Sequence, residues 1–301
     1  LSYVRLADGA IDVTAGNTIS AVKVVAEDGP DNTQHNVNLT TTPNGDIEVQ
    51  DLFNEGDMTL NAAGKIITNG LISARIGAGK LFLDANGDID LRTRVRELNA
   101  LTTSGQIDIN QDGDLEIQTA TTNNQPIMIE VAGDVTVGDI STITPTDESG
   151  NAVLLKTLEG SITLGAINAG NEGNIKLQAL KTINNDEASS TKLRANHLDI
   201  NISHLASTTN TADISVDTQV DSVTVILERE GNIHIREVDD IILTKLDSHH
   251  GSIIVEAEGG ITVDTVDAHS DKNVRLTSGG AITKDGPDIL TLPRKTPIAQ
   301  P

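Results

Sequence analysis

The chain of 301 residues has no cysteine, which excludes disulfides, thiolate metal ligands and thiol nucleophiles together. It also has no tryptophan, two methionines and only three aromatic residues: Tyr3, Phe53 and Phe82. The 37% apolar content is therefore carried by Ile, Val, Leu and Ala. Such side chains suit narrow, regularly stacked layers better than the irregular interior of an ordinary enzyme. Basic residues are scarce, 21 against 44 acidic ones, for a formal charge of −23. That balance argues against binding nucleic acid, whose phosphates need a basic surface, and against docking on anionic lipid. No apolar run approaches the roughly 18 residues of a membrane span. The chain opens Leu1-Ser-Tyr-Val without Met or a basic leader, as expected of a processed product or an interior piece of something longer.

What the sequence has in excess is a repeat. The pattern Gly-x-(Ile/Leu/Val/Met)-x-(Ile/Leu/Val) starts thirteen times, at Gly9, Gly45, Gly56, Gly79, Gly87, Gly105, Gly113, Gly133, Gly160, Gly173, Gly231, Gly251 and Gly259. Composition alone would supply roughly two. Degenerate copies begin at Gln125, Ala212, Lys272 and Gly280. Copies often come in pairs eight residues apart, such as 105 and 113 or 251 and 259, and pairs recur after about twenty residues, as in 113 to 133 and 231 to 251. In each copy two aliphatics flank a residue that is usually polar, the alternation of a short strand with one buried face. Gly, often beside Asp or Asn, supplies the corner.

A unit of about twenty residues cannot close a core alone. Stacked coils can, each strand pairing in parallel with its equivalent one turn on. The expected fold is all-β, a parallel β-helix (β-solenoid) with about 20 residues per coil. About fifteen coils would make a rod on the order of 70 Å long. A helical fold is excluded by the glycine recurrence, and a β-sandwich is the structural rival. The register puts Ile107, Ile109, Leu115 and Ile117 inward, with Asp108 and Glu116 outward. Residues 1–286 read as the solenoid, with projecting loops near 17–44, 139–159 and 178–212, where Leu193, Leu198, Ile200, Ile202 and Leu205 can still feed a core. Residues 287–301 read as a proline-rich extended tail or linker.

Three segments carry a family resemblance: Gly231-Asn-Ile-His-Ile-Arg-Glu-Val-Asp-Asp-Ile-Ile-Leu, His250-Gly-Ser-Ile-Ile-Val-Glu-Ala-Glu-Gly-Gly-Ile-Thr-Val and Asn273-Val-Arg-Leu-Thr-Ser-Gly-Gly-Ala-Ile-Thr. They resemble filamentous-haemagglutinin-type repeats of very large bacterial surface and secreted proteins. The resemblance covers most of residues 45–140 and 213–285. It implies a right-handed β-helix serving mainly as a stalk, exported from a Gram-negative cell by an outer-membrane partner and located extracellularly or at the cell surface.

Candidate sites are few. Asp247 and Asp267 are twenty residues apart, as are His249 and His269, so one coil stacks each over its partner, with His250 and Asp271 nearby. A His/carboxylate ladder suits a transition metal; a corner loop with polar tips accounts for the same residues. Asp84, Asp88, Asp90, Asp108, Asp112 and Asp114 fall on adjoining coils and offer oxygen ligands to calcium, or are solvated surface carboxylates that discourage edge-to-edge aggregation. Arg92, Arg94 and Arg96 alternate onto one outward face, as a groove base or a solvated stripe. No catalytic residue, and no cofactor other than calcium, is expected.

The sequence therefore points to a non-enzymatic, adhesin-like structural β-solenoid, a stalk or filament segment of a large bacterial surface protein. A self-assembling fibre or sheath subunit is one alternative. A polysaccharide lyase or hydrolase is another, disfavoured because such sites commonly use aromatic platforms for sugar rings. Expected partners are the chain itself end to end, with Ile289-Leu-Thr-Leu292 in the contact, or adjoining segments of a longer chain. A host or neighbouring-cell surface is a further candidate partner.

Overall fold

The alternation of aliphatic and polar residues after each glycine produces short strands, and their spacing stacks them. The computed structural model describes residues 3–6, 9–27, 36–74, 79–143, 147, 150–185, 192–203, 211–269 and 272–285. Over these residues the chain forms 27 strands and no helix. They pair in parallel as a β-solenoid of about 12 turns with roughly 21 residues per coil. A sandwich of antiparallel hairpins is thereby excluded. The expected fifteen coils become about 12 because several coils are longer than twenty residues. Partners are 18 residues apart between Ile89 and Ile107, but 26 apart between Ile127 and Val153. At the usual strand spacing the rod is about 55 Å long.

One ladder of aliphatic side chains runs through twelve successive coil positions, from Ile19 to Val263. Ile19, Ile47, Ile66, Ile89, Ile107, Ile127, Val153, Ile175, Leu198, Val223, Leu243 and Val263 are successive register partners. None is more than 5% exposed. Each buried aliphatic of this kind contributes about 2 kcal/mol through removal from water. A second ladder joins Leu115, Val135, Ile162, Ile183, Ile214, Ile233, Ile253 and Val274.

The expected register is the one observed. Ile107, Ile109, Leu115 and Ile117 are buried, while Asp108 and Glu116 face outward and are half-buried. In the strand Leu115–Thr121 two consecutive exposed residues, Gln118 and Thr119, separate buried Ile117 from buried Ala120. The chain changes face there, which gives each coil a third buried side. No aromatic ring lies in the core: Tyr3 and Phe82 are exposed and Phe53 is half-buried.

The corners use the Asp and Asn residues beside the glycines for more than bending. Asp46 Oδ1 accepts the Lys65 N–H at 2.7 Å, Asp114 Oδ1 the Asp134 N–H at 2.9 Å, and Asp134 Oδ1 the Ser161 N–H at 2.7 Å. Asp240 Oδ1 does the same for the Gly260 N–H at 2.6 Å. Each carboxylate thus clamps the corner of the following coil. Buried threonines close the other corner from inside, Thr41 donating to the Gly45 carbonyl at 2.6 Å and Thr157 to the Gly160 carbonyl at 2.9 Å.

The three stretches read as projecting loops are partly solenoid. The first holds strands Ile19–Ala26 and Val37–Thr41, the second begins in Val135–Ser141 and contains Val153–Thr157, and the third holds Ile183–Asn185 and Leu193–Ile202. Their aliphatics alternate too sparsely around polar insertions for the period to be seen, yet they pair in register with neighbouring coils. Leu193, Leu198, Ile200 and Ile202 are buried in the core. Leu205, Asp271 and the tail 287–301, with Ile289 and Leu292, lie outside the described residues.

Candidate metal centre

Strand Ile241–Ser248 pairs with Ile261–Ala268 so that Asp247 lies beside Asp267 and Ser248 beside Ala268. His249 and His269 are the next residues of each coil, at the same corner. Their backbones are pinned by the ladder: the His249 N–H donates to the Leu227 carbonyl at 3.1 Å, and the His269 N–H to the Ser248 carbonyl at 3.0 Å. The two rings stack one coil apart with centroids 5.0 Å apart and planes tilted by 53°. His269 Nε2 lies 3.0 Å from Asp247 Oδ1 and 3.6 Å from Asp267 Oδ2. Lys245 Nζ sits 3.2 Å from the other Asp247 oxygen, Oδ2.

Among the described residues, one group of three or more His, Asp and Glu side chains brings its ligand atoms within 4.8 Å of one another: Asp247, His249 and His269. Three of the four residues expected from the twenty-residue spacing thus come together. Asp267 reaches His269 alone and stays at the rim. The His250 ring lies farther from His249, with centroids 6.4 Å apart, and is not among the three gathered donors.

The six aspartates considered for calcium do not converge. Asp90 and Asp108 stack in register on one outward face. Burial, together with the neighbouring charges of Asp90 and Glu130, holds the Asp108 carboxyl above its ordinary range. Asp84 is exposed on a different strand. Asp88 accepts from Lys65 Nζ at 2.6 Å and from the Gln106 N–H at 3.3 Å, which lowers its pKa. Asp112 pairs with Arg92 at 3.0 Å and Arg94 at 3.3 Å, and Asp114 is a corner clamp. Arg96 turns to Glu97 and to Glu116. The arginine stripe is thus an inter-coil charge ladder.

Sequence reasoning missed Glu237. In Ile233-His-Ile-Arg-Glu237 the inward phase of the alternation falls on the glutamate, which was the available signal. It is buried at the end of its strand, beside an open groove lined by Lys192, Asp217, Arg236, Glu256 and Glu258. Its Oε2 accepts the Val220 N–H at 3.0 Å and its Oε1 the Val238 N–H at 2.7 Å. Burial nevertheless pushes its pKa up to about 7, against the backbone donors that pull it down.

A carboxyl raised in the folded state holds a proton that the unfolded chain has released between about pH 4.5 and 7. Its contribution to stability is fully present below pH 4.5 and is lost as the pH rises through 7. The stability of the wild type relative to Glu237→Gln should therefore decline across that window, read from thermal melts of both proteins in parallel. A difference independent of pH would refute the shift.

Compared with protein-family models, curated proteins and solved structures, the chain matches none.

Proposed function

We propose that this chain is a non-enzymatic structural segment, a stalk or filament portion of a large surface protein of filamentous-haemagglutinin type, carried outside a Gram-negative cell. The observation that carries this reading is the unbroken aliphatic ladder from Ile19 to Val263. Such a ladder makes length additive in sequence and gives every coil the same means of holding the next. The flanks fit a rod under solvent. Charges are matched between coils, as in Lys156 with Glu130 at 2.7 Å, Lys176 with Asp199 at 3.0 Å and Arg275 with Glu256 at 3.2 Å. Each exposed pair adds at most about 1 kcal/mol, but together they place the surplus of acid in an ordered array. The partners that suit such a rod are adjoining segments of the same chain, further copies end to end, and a host or neighbouring-cell surface.

Negatively stained material should show isolated rods about 55 Å long, and incubation with a panel of polysaccharides should release no new chain ends. Regular polymers formed by this chain alone would replace the stalk by a fibre or sheath subunit. Cleavage of a polysaccharide, abolished by Glu256→Gln in the groove, would replace it by a lyase or hydrolase.

A further inference from the structure

We propose that Asp247, His249 and His269 form a binding site for a late first-row divalent metal ion, zinc in the first instance, which staples two successive coils together. The site rests on a juxtaposition that the solenoid imposes. Asp247 and His249 alternate onto one side of the same chain segment, and His269 occupies the position of His249 one coil later. Because both histidine backbones are held by ladder hydrogen bonds, the three donors are gathered before any ion arrives, and little ordering remains to be done on binding.

The distances suit a metal. With ligand bonds of about 2.1 Å, two donors on a tetrahedral ion are about 3.4 Å apart and adjacent donors on an octahedral ion about 3.0 Å. His269 Nε2 and Asp247 Oδ1 are 3.0 Å apart, so an ion can replace the proton between them with a shift of a few tenths of an ångström. The tilt between the two imidazoles, 53°, keeps them from lying flat on one another and lets the exposed His249 ring turn its nitrogen toward the same point. Lys245 Nζ lies 3.2 Å from Asp247 Oδ2, on the oxygen other than the one that faces His269, which orients the carboxylate as an outer partner does. Asp267, at 3.6 Å from His269 Nε2, balances the lysine, so Asp247, Asp267 and Lys245 together carry one net negative charge.

The donor set chooses the ion. Two imidazoles and one carboxylate favour zinc, nickel or copper(II), whereas calcium and magnesium require oxygen ligands. Three protein donors leave at least one coordination position for water.

Calorimetric titration of the metal-free protein with zinc chloride tests this directly. One ion per chain should bind with a dissociation constant in the micromolar range or below, and the thermal midpoint should rise on addition and return with a chelator. His269→Ala and His249→Ala should each weaken zinc binding at least tenfold, while His250→Ala should leave it unchanged. The metal-free melting curves of these corner variants report their folding independently. Calcium chloride should bind at least a hundredfold more weakly than zinc. Zinc binding that survives the double replacement of His249 and His269, or calcium binding as tight as zinc, would assign the affinity to the acidic surface and overturn the site. Absence of zinc binding by the wild type at millimolar concentration would do the same.

Discussion

Ile107→Asp should lower the stability of the solenoid by several kcal/mol. Ile107 is fully buried between its register partners Ile89 and Ile127, in a column that continues in both directions. An aspartate there must either stay ionised without a partner or take up a proton at neutral pH, and both cost free energy. The next coils cannot move aside, because each is held to its neighbours by backbone hydrogen bonds. In a stacked repeat, stability is a sum of coil and interface terms. One broken interface near the middle should therefore divide unfolding into two transitions. Ile107→Val, which removes one methylene, should cost only about 1 kcal/mol. Urea denaturation followed by circular dichroism separates the three proteins; a wild-type midpoint for the aspartate variant would show that the inward register is wrong.

Gly105→Ala should be nearly as damaging, at about 3 kcal/mol, although alanine is the smallest possible change. A β-carbon on Gly105 would lie 2.1 Å from the Gly87 carbonyl carbon and 2.3 Å from the Asp88 nitrogen. These are backbone atoms of the preceding coil and have no rotamer with which to withdraw. The coils cannot separate locally either, since the Ser104 N–H donates to the Asn86 carbonyl at 2.9 Å and the Ile89 N–H to the Gln106 carbonyl at 2.9 Å. Gly113 is the contrast. It has φ of +103° and nothing within 4 Å of the position a β-carbon would take. Gly113→Ala therefore meets only backbone strain, about 1–2 kcal/mol. If urea midpoints fell equally for the two variants, close approach between coils would not be what Gly105 serves.

These two glycines mark the boundary between what could be read from the chain and what could not. Both open the same motif, Gly105-Gln-Ile-Asp-Ile and Gly113-Asp-Leu-Glu-Ile, and the motif alone assigns both to a corner. The aliphatic alternation is a property of adjacent residues, so strand identity, the inward set Ile107, Ile109, Leu115 and Ile117, and the stacking of coils all follow from the sequence. The spacing of twenty between His249 and His269 likewise foretold their meeting, because a regular coil returns the chain to the same place.

The roles of individual polar residues did not follow. Asp88, Asp112 and Asp114 were equivalent surface carboxylates in the sequence. In the structure the first receives Lys65 and a backbone N–H, the second two arginines, and the third the corner of the next coil. The irregular stretches around Ile19–Ala26 and Leu193–Ile202 were hidden because insertions shift their phase, and only pairing with neighbouring coils restores it. Glu237 falls on the inward phase of a regular alternation, but the backbone donors that receive it come from neighbouring residues and the preceding coil. What surrounds a residue in a solenoid is set by residues one coil away, from 17 positions along the chain between Leu81 and Leu98 to 31 between Ile183 and Ile214, and that partner is known only once the register is.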